Sequence, residues 1–189
     1  MRIAVYGGSF NPPHRAHALV ASWLISSDVV DQVWLVPVFH HAFEGVHGKS
    51  LAPYEQRLKW CGAMAAALGA RVMVSDVESQ LPAPSYSIDT LQYLSRSHPE
   101  HRFQLVVGAD ILTQTVGWKS WDKIVENHLP IVVGRTGYES LDGVADGVPT
   151  FPAVSSTDVR ARLSRGEAVT DMVTPEVEQL LQEGHPWTV

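Results

Sequence analysis

The chain has a single cysteine, Cys61, and only 18% charged residues among its 189 positions. One thiol cannot form an internal disulfide, which is typical of proteins from a reducing compartment. No apolar run approaches the roughly 18–20 residues that a membrane-spanning helix requires. The sequence also opens directly into a strand-like segment, Arg2–Tyr6, which leaves no room for a signal peptide. We therefore expect a soluble protein of the cytoplasm.

Basic residues are too few for a protein that binds duplex DNA. The chain has 14 Lys and Arg against 20 Asp and Glu, a net charge of −6 and a pI near 5.8, whereas a duplex binder needs a basic face. Hydrophobic residues make up 45% of the chain, which excludes disorder as its main state. The length predicts one domain over residues 1–189, with a small helical subregion over about 150–189.

Short apolar runs rich in β-branched residues alternate with helix-like stretches along the chain. The strand candidates are Ile3–Tyr6, Val33–Val38, Arg71–Ser75, Phe103–Val107 and Pro130–Val133. The helix candidates are Ala18–Ser26, Tyr54–Leu68, Ser87–Ser95, a stretch from Ser155 to Leu163, and a last one between Thr174 and Gly184. This alternation predicts an α/β fold, a Rossmann-like doubly wound parallel sheet with helices on both faces.

The segment Gly7–His17 follows the first strand candidate and precedes the first helix candidate. In an open parallel sheet, this position lies in the crevice where ligands bind. Adjacent glycines let backbone N–H groups approach a phosphate, and the helix start adds positive potential. His14 and His17 project to one side and can donate to phosphate oxygens. The segment lacks the G-x-G-x-x-G fingerprint of dinucleotide binding and the H-E-x-x-H spacing of a zinc site.

A second loop carries a partial phosphate-binding pattern and several histidines. Gly45–Ser50 ends in Gly-Lys-Ser, but Phe43 stands where a P-loop needs its leading glycine. Lys49 lies in this loop, after the second strand and on the crevice side. Its histidines and one glutamate either bind a metal ion or form a solvated loop, and the solvated loop is favoured.

Ser155–Arg160 is the second segment that indicates an anion site. Its consecutive hydroxyl groups and the free N–H groups of a helix start suit a phosphate. A simple helix cap explains Ser155–Asp158 and gives no reason for Arg160. Together with Gly7–His17, the segment looks like the other half of a polyphosphate clamp.

Four segments, in order, resemble motifs of the bacterial nicotinate-mononucleotide adenylyltransferases, in the nucleotidyltransferase superfamily. Gly7–His17 resembles G-G-S/T-F-[DN]-P-x-H-x-G-H, and Ser155–Arg160 resembles S-S-T-x-[IV]-R. Between them, Pro84–Leu91 is similar to S-Y-T-x-D-T-L, and Gly108–Asp110 with the later Trp118 is similar to G-x-D…W. The resemblance spans essentially the whole chain.

The resemblance implies a transfer of AMP from ATP to nicotinate mononucleotide, which gives deamido-NAD and pyrophosphate in NAD biosynthesis. It implies Mg²⁺ as the cofactor that accompanies ATP, with no metal ligands assigned on the protein. The catalytic contacts with phosphate would come from His14, His17 and Arg160. The remaining contacts with ATP would come from Gly8, Ser9, Phe10, Gly108, Asp110, Arg135, Ser156 and Thr157. The contacts with the mononucleotide would come from Lys49, Tyr86, Ser87 and Trp118.

The chain departs from the family pattern at two places. Ala16 replaces the glycine of H-x-G-H, and its methyl group either crowds the nucleotide or fits beside it. The second-strand loop lacks the usual P-x-x-x-P-P-H-K run. Arg57 in the next helix either contributes to the mononucleotide contacts or lies on a solvated helix face, and the solvated face is favoured. Two alternatives stay open: another acceptor, such as nicotinamide mononucleotide, or a weakly catalytic nucleotide-binding regulator. The sequence also leaves open a monomer or a homo-oligomer.

Overall fold

The structure, a computed structural model, describes residues 1–40, 51–113, 115–136 and 148–187. Six parallel strands form one sheet in the order β3-β2-β1-β4-β5-β6. The strands are β1 (Arg2–Gly8), β2 (Gln32–Pro37), β3 (Val72–Val74), β4 (Arg102–Gly108), β5 (Ile131–Arg135) and β6 (Thr150–Phe151). The five predicted strands are confirmed, whereas β6 was not predicted because a strand of two residues leaves almost no pattern.

The described helices connect these strands and cover the sheet. They are α1 (Arg15–Ser26), α2 (Tyr54–Leu68), α3 (Ser87–Ser97), α4 (Trp121–His128), α5 (Ser156–Ser164) and α6 (Pro175–Glu183). Short 3₁₀ turns lie at Val77–Gln80, Ala109–Thr113 and Thr115–Gly117. The bounds predicted for α2 are confirmed, and α5 begins where predicted because the Ser155 hydroxyl oxygen accepts a hydrogen bond from the Asp158 N–H group.

Two apolar clusters pack on opposite faces of the sheet. In β1, Ala4 faces the cluster that contains residues of α1, α2 and α6, whereas Ile3 and Val5 face the cluster with residues of α3 and α4. Because side chains alternate along a strand, a sheet covered on both faces buries every residue of such a run. The doubly wound α/β fold predicted from the sequence is confirmed.

The strand order reverses direction between β1 and β4. From β1 the chain first winds outward through β2 and β3, and then returns to place β4 on the other side of β1. At such a switch point, the loops after the two central strands separate and leave a crevice outside their carboxyl ends. The segment after β1, residues 9–14, and the turn after β4, Ala109–Thr113, therefore face each other across this crevice.

The C-terminal helices pack onto the rest of the chain. α6 contacts α2, and its Val177 and Leu181 are buried in the same cluster as Trp60 of α2. The Arg15 side chain, at the start of α1, donates hydrogen bonds to the carbonyl oxygens of Thr170 and Val173. The assignment of the whole chain to one domain stays a prediction. Within the described ranges, no helix combines the length and the apolar character that crossing a membrane requires.

Candidate active site

Two adjoining cavities occupy the crevice at the carboxyl ends of β1 and β4. The first cavity has a volume of about 340 Å³ and the second about 500 Å³, sizes that suit small-molecule ligands. Four residues line both cavities and form the wall between them: Tyr6, Ser9, Gly108 and Ile111. We call them the phosphate cavity, which contains His14, His17 and Arg160, and the ring cavity, which contains Tyr86, Ser87 and Trp118.

The turn after β1 is fixed in a strained conformation at the floor of the phosphate cavity. Phe10 has a φ angle of +44°, which non-glycine residues rarely adopt, and its side chain is buried. The Asn11 side-chain oxygen accepts a hydrogen bond from the Ala52 N–H group at 2.9 Å. Strain of this kind persists only where the surroundings enforce it, and it concentrates at functional sites. The turn is therefore rigid before any ligand arrives.

The two histidines of the Gly7–His17 segment lie together in the phosphate cavity, as their spacing predicts. Their ring centroids are 3.7 Å apart in a stacked arrangement. Phe10 and Tyr6 approach the His17 ring from the other sides, with centroids 4.8 and 5.9 Å away. His14 is only 6% exposed, whereas His17 is partly exposed. The packing restricts the orientation of the His17 ring.

A backbone hydrogen bond determines which nitrogen of His17 carries the proton. The His14 N–H group donates to His17 Nδ1 at 3.1 Å. Because a ring nitrogen that accepts a hydrogen bond carries no proton, the proton of neutral His17 lies on Nε2. His17 therefore offers an Nε2–H donor, a group that suits a phosphate oxygen without a positive charge on the ring.

The start of α5 is bonded directly to the turn after β1. The Ser156 hydroxyl donates to the Pro12 carbonyl oxygen at 2.9 Å, and Arg160 Nη1 donates to the Asn11 carbonyl oxygen at 2.9 Å. Arg160 Nη2 also donates to the Thr157 hydroxyl at 3.3 Å. Burial lowers the pKa of Arg160, although an arginine remains charged at neutral pH. These bonds join the two halves of the predicted polyphosphate clamp.

Gly108 and Asp110 close the phosphate cavity on the β4 side. A Cβ atom on Gly108 would overlap the Asp110 carboxylate, so a larger residue at position 108 would displace this side chain. Asp110 is the one acidic residue among the described residues that line this cavity. No group of three or more His, Cys, Asp or Glu suited to hold a metal ion occurs within the described ranges.

The ring cavity is formed by the start of α3 and the chain before α4. Tyr86 precedes the first residue of α3, Ser87, so backbone N–H groups of the first helical turn lie at the cavity wall. Trp118 also lines the cavity and makes an edge-to-face contact with Trp121, with centroids 5.4 Å apart. A partly exposed indole beside N–H donors suits a planar ring that carries a polar group.

The expectation that Arg57 lies on a solvated helix face is wrong. Arg57 is only 1% exposed, and its guanidinium group donates to the carbonyl oxygens of Ala52, Ser9 and Val38 at 3.0, 3.0 and 2.7 Å. A charged arginine is buried only where its donors find acceptors. Arg57 therefore ties the segment after β1 to the end of β2 and to the start of α2.

Glu78 and Lys119 line the ring cavity and were not singled out from the sequence. The Glu78 carboxylate is 7% exposed and accepts hydrogen bonds from the Phe39 N–H group at 3.0 Å and the Thr90 hydroxyl at 3.3 Å. Burial raises the pKa of this carboxyl group. The contacts of both residues come from distant parts of the chain, which no local sequence signal announces.

Several predicted residues have no described side chain. Lys49 and the histidine-rich part of its loop lie outside the described residues. Arg135 ends β5, but its side chain also lies outside the described part of the chain. Ala16 is buried and lines the phosphate cavity. The other predicted site residues, from Gly8 to Arg160, all line one of the two cavities.

Known proteins are similar in sequence to this chain over nearly its whole length. A family model described as cytidylyltransferase-like matches residues 5–162. A probable nicotinate-nucleotide adenylyltransferase of Anaeromyxobacter sp. (strain K) is 45% identical over 184 residues, which cover 96% of this chain and 94% of the relative. This chain belongs to the cytidylyltransferase-like family, among its nicotinate-nucleotide adenylyltransferases. It is thus an enzyme of the nucleotidyltransferase class, as the four motifs predict.

A second relative supports the same assignment, and a solved structure shares the fold. A probable nicotinate-nucleotide adenylyltransferase of Myxococcus xanthus is 35% identical, with 92% of this chain and 87% of the relative covered. Among solved structures, a Plasmodium falciparum nicotinic acid mononucleotide adenylyltransferase complexed with NaAD superposes with a TM-score of 0.79 at 19% identity. That superposition covers 98% of this chain and 97% of the other. At this identity, the structural likeness shows a common fold.

Proposed function

We propose that this enzyme transfers AMP from ATP to nicotinate mononucleotide and releases pyrophosphate and deamido-NAD. One observation carries the proposal: a cavity lined by groups suited to phosphate lies next to a cavity suited to a planar ring, and the two share Ser9 and Gly108 in their linings. A dinucleotide product needs both environments side by side. The relatives named nicotinate-nucleotide adenylyltransferase support this choice of acceptor.

In the proposed reaction, a phosphate oxygen of the mononucleotide attacks the α-phosphorus of ATP, and pyrophosphate leaves with the electron pair of the broken P–O bond. The attacking oxygen is already an anion, so no protein nucleophile or general base is needed. Catalysis then depends on orientation, which contributes about 7–11 kcal/mol, and on stabilisation of charge in the transition state.

The residues of the phosphate cavity supply that stabilisation. The Nε2–H group of His17 donates to the α-phosphate, whose charge distribution changes most during transfer, and His14 packs against the His17 ring and contributes to the same group of phosphates. Arg160, the Thr157 hydroxyl group and the backbone N–H group of Ser156 at the start of α5 bind the β- and γ-phosphates. The bonds from α5 to the Asn11 and Pro12 carbonyl oxygens keep these donors in place before ATP binds.

Mg²⁺ is proposed to accompany ATP. The described residues of the phosphate cavity offer one carboxylate, Asp110, and Mg²⁺ in nucleotide sites is held by one or two carboxylates together with phosphates and water. The site therefore fits an ion that arrives with its nucleotide. When bound, Mg²⁺ shields the polyphosphate charge and stabilises the departing pyrophosphate.

The ring cavity is proposed to bind the acceptor. Trp118 stacks on the pyridine ring, and the N–H groups of Tyr86 and Ser87 receive the substituent of the ring at the start of α3. A helix start favours an anion, so the carboxylate of the nicotinate form suits this position better than the carboxamide of the nicotinamide form.

The experiment that tests the proposal is the release of pyrophosphate from Mg-ATP, with nicotinate mononucleotide or nicotinamide mononucleotide supplied in parallel. We expect a higher kcat/KM with the nicotinate form and a product with the mass of deamido-NAD. Equal rates with both acceptors would contradict the proposed specificity. Binding of ATP without turnover of either acceptor would contradict the proposed reaction and favour a regulatory role.

A further inference from the structure

Lys119 places a positive charge in the wall of the ring cavity. Its Nζ atom lies 2.7 Å from Asp89 Oδ2 and 4.5 Å from the centroid of the Tyr86 ring. Among the described residues that line this cavity, Lys119 is the only lysine or arginine. It directly follows Trp118, in the short stretch before α4. Its ammonium group is therefore held beside the residues proposed to receive the ring substituent.

The contacts of Lys119 fix the position of its charge without consuming all its donors. An ammonium group has three N–H donors, and Asp89 accepts from one of them. The side chains of Lys119 and Asp89 are 47% and 39% exposed, and an ion pair that water reaches so easily adds little to stability. The contact with the Tyr86 ring is a cation–π interaction, which holds the ammonium group over the residue that precedes α3. The ion pair is thus better explained by the position that it gives the Lys119 charge than by a contribution to the stability of the fold.

The charges around the cavity define what Lys119 can distinguish. Two acidic groups belong to this region: Asp89, with which Lys119 pairs, and Glu78, which lines the same cavity. Burial raises the pKa of Glu78, so its negative charge is costly in this environment. A ligand carboxylate that enters the cavity meets in Lys119 the one lysine or arginine of the described lining. A neutral carboxamide gains no comparable attraction from that charge.

We infer that Lys119 is a specificity-determining residue, which favours an acceptor whose ring carries a carboxylate over one whose ring carries a carboxamide. The inference deepens the proposed function and rests on it for the identity of the acceptor. The attraction acts on binding of the acceptor and leaves the chemistry at the α-phosphorus unchanged. It therefore changes the KM for one acceptor, with little change in kcat and in the KM for ATP.

The test compares Lys119→Met with Lys123→Met, which removes the same charge from an exposed position of α4 outside the cavity lining. For Lys119→Met, we expect the KM for nicotinate mononucleotide to rise by roughly three- to five-fold, the upper part of the range for a partly exposed charge pair. The KM for nicotinamide mononucleotide should stay within about two-fold of the unsubstituted enzyme. Lys119→Arg should retain most of the preference, and Lys123→Met should change neither KM.

Direct binding separates this inference from the proposed function. Calorimetry measures the affinity of the full chain for each mononucleotide without turnover. If the enzyme turns over nicotinate mononucleotide and Lys119→Met changes both KM values equally or neither, the inference is overturned and the proposed function stands. If turnover fails but Lys119→Met weakens binding of the nicotinate form alone, the proposed reaction fails and the inference stands. If neither mononucleotide binds, both are overturned.

Discussion

The two cavities of the crevice are built by different means. In the phosphate cavity, most groups proposed to bind phosphate lie on two continuous segments of chain, Ser9–His17 and Ser155–Arg160, and hydrogen bonds with backbone atoms fix the key side chains. The ring cavity is formed by single residues from several elements, among them Glu78, Tyr86 and Lys119. Lys119 pairs there with the Asp89 side chain, and both are partly open to water, whereas Glu78 is buried and accepts from the Thr90 hydroxyl and the Phe39 N–H group.

This difference suggests a division of labour. Groups fixed by the backbone are already oriented before the reaction, which is what stabilisation of a transition state requires. Groups held by exchangeable side-chain contacts can change one at a time without damage to the rest, which suits the choice of an acceptor. We therefore expect substitutions in the phosphate cavity to lower kcat, and substitutions in the ring cavity to change the KM for the acceptor.

The largest expected effect comes from His17→Ala. The loss of one donor to the α-phosphate should lower kcat by about 10²–10³, with only a modest rise in the KM for ATP, because the contact matters most in the transition state. The measurement is steady-state release of pyrophosphate. His98→Ala, at the amino-terminal edge of the sheet, serves as the control and should be unaffected. An unchanged kcat in His17→Ala would show that His17 does not stabilise the transition state.

Arg57→Met should affect both cavities at once, in contrast to substitutions within one cavity. The substitution leaves the carbonyl oxygens of Ala52, Ser9 and Val38 without their buried donor, and each such loss costs about 1–3 kcal/mol. We expect the free energy of unfolding in urea to fall by about 3–5 kcal/mol. The KM for ATP and the KM for the mononucleotide should rise together. Arg71→Met, at an exposed position, is the matched control. A stable variant with unchanged KM values would show that Arg57 holds neither cavity.

Trp118→Ala tests whether the ring cavity acts on the acceptor alone. Loss of a stacked indole should raise the KM for the mononucleotide by roughly ten-fold, as expected for about 1–1.5 kcal/mol of stacking. The KM for ATP, measured in the same assay, is the internal control and should not change. A fall in kcat at saturating acceptor, with an unchanged acceptor KM, would contradict the proposed division.

Glu78→Gln gives the smallest effect and concerns pH. Because the folded protein raises the pKa of Glu78 above its value in the unfolded chain, the native state holds this proton more tightly. The stability that Glu78 contributes is then fully present below the unfolded pKa and is lost as the pH rises through the folded pKa. Urea unfolding at a series of pH values should show the wild type losing stability relative to Glu78→Gln as the pH rises. A difference that grows in favour of the wild type would contradict this sign.

The phosphate cavity could be predicted from the sequence because its chemistry lies in continuous segments. His14 and His17 are three residues apart at a helix start, so their spacing predicts that they project to one side; that their rings stack is shown only by the structure. The fold could also be predicted, because each buried strand reads as an apolar run. Helix α4 was not predicted, because its eight residues are mostly polar and the residues on either side, Ser120 and Leu129, have left-handed conformations without a glycine signal.

The ring cavity could be predicted only in part. Tyr86, Ser87 and Trp118 belong to segments that resemble family motifs, but Glu78 and Lys119 have no such context. Glu78 bonds to a backbone group 39 residues away, and Arg57 to one 48 residues away. Charged residues are mostly exposed, so a prediction from local sequence places Arg57 on the surface. Only the packing of distant elements identifies these residues.

In the proposed reaction, AMP passes directly between two substrates bound in the two cavities. Direct transfer is best tested by the exchange of labelled pyrophosphate into ATP, measured with and without nicotinate mononucleotide or deamido-NAD. Direct attack predicts exchange only when the acceptor or the dinucleotide is present, because without it no P–O bond of ATP is broken. Exchange with Mg-ATP alone would mean that the protein itself accepts the AMP group, and would contradict the account.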